Sequence, residues 1–170
     1  MSDNPTVTVL SDAFGRVREL VQRLTDGLDT DAATFRIDSE ANTPAWLLWH
    51  LTRIQDDHVA ELAGVEQAWT SWRDWFDLPL PVDDTGFGHR PEQVASVQVD
   101  AALLDGYHAD VHTLTLAYLE RLTPEELVRV VDTRWDPPVT ASARLVSVLG
   151  DCWQHLGQAA FVIGVARRAG

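Results

Sequence analysis

Apolar residues recur every three or four positions in four long segments of this chain, a spacing that predicts four amphipathic helices. Val9, Ala13, Phe14, Val17, Leu20, Val21 and Leu24 mark the first, which Gly27 and the following Asp29-Thr30-Asp31 bring to an end. Thr43-Pro44 pairs an N-cap residue with a proline at the first helical position. It opens a second helix that runs to Gly64, with Leu47, Leu51, Ile54, His58 and Leu62 as its inward stripe. A third covers about 100–122, with Asp100 as its N-cap and Leu103, Tyr107, Val111, Leu114 and Tyr118 on one face. Thr123 to Glu126 has the capping-box pattern of a short helical turn. Asp136-Pro137-Pro138 breaks the chain, and Thr140 opens a last helix that continues nearly to Gly170. No repeat and no alternating strand stands out.

Residues 65–99 interrupt this regularity. Trp69, Trp72 and Trp75 crowd one stretch, and "DDTGFGHRP" is rich in turn residues. The pattern predicts a long irregular excursion with one or two short helices, of the kind that often carries function. The expected architecture is therefore all-α. It is a four-helix bundle forming a single domain over residues 1–170, with the excursion between the second and third helices.

Composition narrows the partners. With 170 residues, 45% of them hydrophobic, the chain has enough apolar material for a substantial core. The 26 acidic residues outweigh 13 basic ones, for a net charge of −13. That balance argues against nucleic acid and against an anionic membrane surface, since both require a cationic face. No apolar run approaches the roughly 18–20 residues of a membrane span. The opening "MSDNPTVTVL" lacks a basic n-region and a small-residue cleavage site, and Cys152 is the one cysteine. Both features lead to the expectation of a cytoplasmic protein.

The candidate chemistry lies on the second and fourth helices. Asp151 and His155 are an i,i+4 pair and project from one side of their helix. His50, supplied by a neighbouring helix, would complete a three-ligand site with open positions. By helical geometry His50 sits at the edge of its helix's buried face, about 80° from the stripe centre. Asp151 and His155 flank the apolar middle formed by Cys152, Leu156, Ala159 and Ile163. The bland alternative is two hydrogen-bonded histidines and a solvated acid. Cys152 could replace Asp151 as a ligand, although its inward position favours a small buried residue. His58 lies about 12 Å further along the axis than His50, so the two cannot share an ion, and it is expected to be a core histidine. His108 and His112 form another i,i+4 pair with no evident third ligand. Gly86 and Gly88 are too few, and lack the preceding strand, to make a phosphate loop. Gly150, Gly157 and Gly164 share one strip of the last helix with Phe161 nearby. They are expected to pack against residues 65–99 or against a second subunit, as in a homodimer.

"WLLWHLTRIQDD", followed far downstream by "DCWQHLGQAAFVIG", resembles the DinB-like superfamily. That group includes mycothiol-dependent maleylpyruvate isomerases and the bacillithiol- and mycothiol-dependent S-transferases. The likeness extends over essentially the whole chain. It implies a four-helix bundle holding a divalent metal, zinc or nickel, on His50, Asp151 and His155. An acid stands where the commonest family pattern has the first histidine of H-x-x-x-H, and an oxygen ligand is acceptable to zinc. The implied function is metal-dependent S-transfer or isomerisation with a mycothiol-like thiol as cosubstrate. The metal-bound thiolate would attack an electrophilic small molecule. Gln158 is placed to orient a ligand and Arg53 or Arg144 to receive a carboxylate of the thiol or substrate; the Trp69–Trp72–Trp75 group would wall the pocket, although buried packing is the expected role of at least two of them. The alternatives are a non-catalytic binding or stress-response module on the same bundle, with a structural metal or none.

Overall fold

The computed structural model describes residues 4–169. In chain order its elements are α1 (Pro5–Thr25), α2 (Thr30–Thr34), α3 (Pro44–Ala63), α4 (Trp69–Phe76), α5 (Pro91–Ser96), α6 (Ala101–Leu119) and α7 (Pro124–Val128). A short antiparallel pair, β1 (Val130–Asp132) with β2 (Val139–Thr140), leads into α8 (Ala141–Ala169). The all-α expectation holds, with that one small sheet as an addition. Neither strand has enough residues to show alternation, so periodicity could not reveal it.

Side-chain caps fix where the helices begin. Asn4 accepts from the Thr6 N–H, and Thr43 Oγ1 accepts from the Trp46 N–H at 3.1 Å. Each satisfies an N–H that the helix itself leaves open. Gly64, at φ +67°, ends α3 in the left-handed conformation that glycine adopts without penalty.

The long helices α1, α3, α6 and α8 form the bundle. Each of α1 and α3 packs against both α6 and α8, and α3 with α8 is the most extensive pairing. Phe14, Val17 and Val21 of α1, Leu47 and Leu51 of α3, Leu104, Tyr107 and Val111 of α6, and Leu145, Cys152 and Ala159 of α8 are enclosed between them. The Arg18–Asp105 ion pair, at 2.6 Å, ties α1 to α6.

His108 of α6 is wholly buried, and neither ring nitrogen has a hydrogen-bond partner among the described residues. Burial pushes its pKa down to about 3, with Arg18 and His112 acting in the same direction and Asp105 opposing. Unfolding exposes an imidazole with a pKa near 6.5. Below that pH the unfolded chain therefore takes up a proton that the native chain refuses, and stability falls as pH falls. At pH 5 the loss from this group is about 2 kcal/mol, from about 1.4 kcal/mol per pKa unit. Urea unfolding of the wild type and of His108→Leu at pH 7 and pH 5 should show the wild type losing that much more. Equal losses in the two proteins would place the acid sensitivity elsewhere.

Candidate metal centre

Helices α3 and α8 run antiparallel, so successive turns meet in order. His50 lies beside His155, Gln55 beside Cys152 and His58 beside Arg144. This register brings His50, Asp151 and His155 together. One ligand atom from each lies within 4.8 Å of the others, the one such group of three among the described residues. His155 Nε2 is 3.4 Å from Asp151 Oδ1, and the two imidazoles meet edge to face with centroids 4.9 Å apart.

Their hydrogen bonds leave the converging atoms available. His50 Nδ1–H donates to the Thr85 carbonyl at 2.5 Å, and His155 Nδ1–H donates to Gln158 Oε1 at 2.9 Å. Because Nδ1 carries the proton in each ring, the lone pair of the neutral ring is on Nε2. Asp151 Oδ2 is buried and has no hydrogen-bond partner among the described residues. A carboxylate oxygen shut away without a donor costs free energy unless a cation meets it. Two imidazoles held in the ligating tautomer and an orphaned carboxylate oxygen fit a divalent ion. At metal–ligand bonds of about 2.1 Å, tetrahedral ligands stand about 3.4 Å apart. The His155 Nε2–Asp151 Oδ1 pair is already at that separation.

Electrostatics differ between the two rings. Burial lowers the His50 pKa, against the Thr85 bond and the Asp151 charge. Burial also disfavours charge on His155, but the adjacent Asp151 carboxylate and the Gln158 bond outweigh this and raise its pKa. The side chains of Asp151 and His155 keep 29% and 17% of their surface exposed, so the centre opens to solvent along α8.

On the α3 side the centre is closed. The sequence places His50 at the margin of the apolar face, but His50 is buried, as is every residue from Pro44 to Arg53. The turn-rich end of the excursion folds back over that margin. Asp84 Oδ1 accepts from the Gly86 N–H at 2.8 Å, and Asp84 Oδ2 accepts from His89 Nε2–H at 2.9 Å. His89 Nδ1 in turn accepts from Trp46 Nε1–H at 3.0 Å. Trp46 stacks on His50 with centroids 4.6 Å apart and planes 13° from parallel. Gly86, at φ +90°, passes so close that an added Cβ would lie 2.8 Å from His50 Nδ1. Trp46, Asp84, Thr85, Gly86 and His89 are the residues that sequence reasoning missed. The available signal was Trp46, one turn before His50 on the same helix.

The other candidates fall elsewhere. Gln158 is at the centre, on His155. Arg53 is wholly buried: its Nε donates to the Asp84 carbonyl, its Nη1 donates to Gln67 Oε1 and the Tyr107 hydroxyl, and the guanidinium lies 4.9 Å over the Trp69 ring. Its guanidinium braces the excursion and presents no surface to a ligand. Arg144 is two turns from Asp151, 3.4 Å from both His58 Nε2 and Asp132 Oδ2. His58 is half-buried beside it, not in the core as the stripe suggests, because α8 covers only one flank of the helix there. Cys152 is buried, and burial raises its thiol pKa, as a small core residue requires. Trp69 packs on Trp49 and Tyr107, Trp72 covers Gly106, and Trp75 is exposed, so none of the three walls the centre. Gly150 and Gly157 meet nothing within 4 Å, so the glycine strip does not pack against residues 65–99.

A bundle with facing imidazoles on antiparallel α3 and α8 invites comparison with known proteins. A conserved protein of Enterococcus faecalis, solved by crystallography, superimposes with a TM-score of 0.84 at 32% sequence identity, over 92% of this chain and 94% of that one. None of the curated proteins matches. No helix among the described residues is long and apolar enough to cross a membrane. The family model of the DinB superfamily matches residues 13–159, a span that includes α3, the excursion and all three converging side chains, and the chain belongs to that superfamily.

Proposed function

We propose that His50, Asp151 and His155 hold a divalent metal, zinc or nickel, and that the protein is a metal-dependent enzyme using a low-molecular-weight, mycothiol-like thiol for S-transfer or isomerisation. The observation that carries the proposal is the convergence itself: two imidazoles with Nδ1 tied to acceptors, gathered with a carboxylate whose Oδ2 is buried without a donor. A bound divalent ion with an open position lowers the pKa of a coordinated thiol and supplies a thiolate near neutral pH. The chain's own residues do the rest. The Thr85 carbonyl and Gln158 orient the two rings, as outer partners of metal-ligating histidines do. Trp46 and the residue 84–89 loop keep water from the His50 side, leaving the flank beside Asp151 and His155 for entry. Arg144, two turns along α8 from Asp151, offers positive charge to a carboxylate on the thiol or substrate.

Elemental analysis of protein purified without chelator or metal-affinity tag tests the first step. The wild type is expected to carry stoichiometric divalent metal, and His50→Ala and His155→Ala to lose it. Wild type that takes up neither zinc nor nickel when supplied would remove the proposal. Metal-loaded protein that consumes no thiol with any electrophile would remove the transferase reading and leave a metal-holding bundle.

A further inference from the structure

The exposed residues of α8 between Arg144 and Arg167 include no ionisable side chain, on a chain whose net charge is −13. Along this stripe stand Gly150, Trp153, Gly157, Phe161 and Gly164. At about 100° per residue all five lie within about 40° of the direction set by Gly157. Trp153 is 49% exposed and Phe161 62%. Each glycine inside a helix costs about 1 kcal/mol relative to alanine. Nothing within the chain explains that cost at Gly150 or Gly157, where a Cβ would meet open space.

The order Gly-Trp-Gly-Phe-Gly, with intervals of three, four, four and three residues, is symmetric about Gly157. We infer that a second copy of this chain packs its α8 antiparallel against this one, across a twofold axis at Gly157. Such an axis reverses the helix direction and preserves the lateral offset of each side chain. Gly157 then faces its own copy, and Gly150 faces the partner's Gly164 about 10 Å along the axis. Between these levels, about 6 Å from the axis, Phe161 stands beside the partner's Trp153. The two rings lean to opposite sides of the seam, so they lie next to one another without collision. The partner's Trp153 falls on the α1 side, over a groove of about 380 Å³ that the chain's own Trp153 lines together with Arg16, Glu19, Leu20, Arg23 and Leu156. Three glycine levels allow the backbones to approach closely, and two aromatic pairs supply the apolar area.

The size is adequate. The stripe from Val146 to Gly164 is about 27 Å long. With the neighbouring α1 about 8–10 Å away, the face is about 20 Å wide. Its planar footprint of about 540 Å² corresponds, once surface roughness is included, to roughly the 800 Å² per partner of a standard specific interface. The α8 stripe itself brings no charge to the seam, and the α1 flank brings Arg16, Glu19 and Arg23. This inference does not depend on the metal, since Asp151 and His155 face α3.

Light scattering and sedimentation of the full chain test it. The wild type is expected to show twice the 18.9 kDa of one chain, and Gly157→Glu the mass of one. Gly157→Glu should fold with unchanged helix content, because its side chain enters open space. Gly157→Cys should form a disulfide-linked dimer on mild oxidation, since Cys152 is buried and cannot compete. A monomeric wild type, a Gly157→Glu protein that remains dimeric, or a Gly157→Cys protein that fails to crosslink would each overturn the inference.

Discussion

Asp56→Ala is expected to lose about 3–5 kcal/mol of stability, because it leaves a buried guanidinium without its counter-charge. Asp56 is wholly buried. Its Oδ1 accepts from the Ala68 N–H at 2.9 Å, and its Oδ2 accepts from the Trp69 N–H and the Tyr107 hydroxyl, both at 2.7 Å. The Arg53 guanidinium, also wholly buried, lies 3.7 Å away. Burial raises the Asp56 pKa, and the Tyr107, Trp69, Ala68 and Arg53 interactions pull against that rise. One carboxylate thus joins α3 to the start of α4 and to α6. Alanine removes the acceptors and strands Arg53 together. In thermal unfolding the midpoint should fall by about 6–20 °C, at about 2–4 °C per kcal/mol for a chain of this size. Asp56→Asn, which keeps one acceptor oxygen, should fall less. A cost below about 1 kcal/mol, typical of a surface substitution, would show that the cluster does not hold the excursion in place.

Gly86→Ala is expected to damage both the fold and metal binding. An alanine at φ +90° pays about 1–2 kcal/mol for a left-handed backbone. Its Cβ would also press on three rings, 2.8 Å from His50 Nδ1, 3.0 Å from Trp49 and 3.1 Å from Trp46. Overpacking of that kind costs about 1–3 kcal/mol more. The Thr85 carbonyl, one residue away, cannot then keep its bond to His50. Loss of such an outer partner weakens metal affinity by about 10–100-fold. Gly88 provides the comparison: its φ is +74°, but an added Cβ meets nothing within 4 Å. Gly88→Ala should pay only the backbone penalty and bind zinc as the wild type does. Competition against a chromophoric zinc chelator reads both variants. Equal affinity for Gly86→Ala and the wild type would show that the loop does not position His50.

The i,i+4 relation of Asp151 and His155 is fixed by helix geometry wherever the helix lies, so spacing alone placed both side chains on one flank. The pairing of α3 with α8 was less accessible, since four apolar faces can be arranged around a core in more than one way. His58 shows the cost of reading an average stripe: the helix is enclosed on all sides at its start and only partly covered near its end. The role of Arg53 was invisible. Its partners Gln67, Asp84 and Tyr107 lie 14, 31 and 54 residues away and share no local pattern with it.

By itself the sequence determined the helices, their caps and the side of each helix that carries ionisable chemistry, because those depend on contacts within a few residues. The antiparallel register of α3 on α8 decided whether His50 would meet Asp151 and His155. The return of residues 84–89 over Trp46 decided that His50 would be buried and held by the Thr85 carbonyl. Both outcomes rest on contacts between segments far apart in the chain, whose closure depends on packing the whole core at once. No local periodicity records that choice.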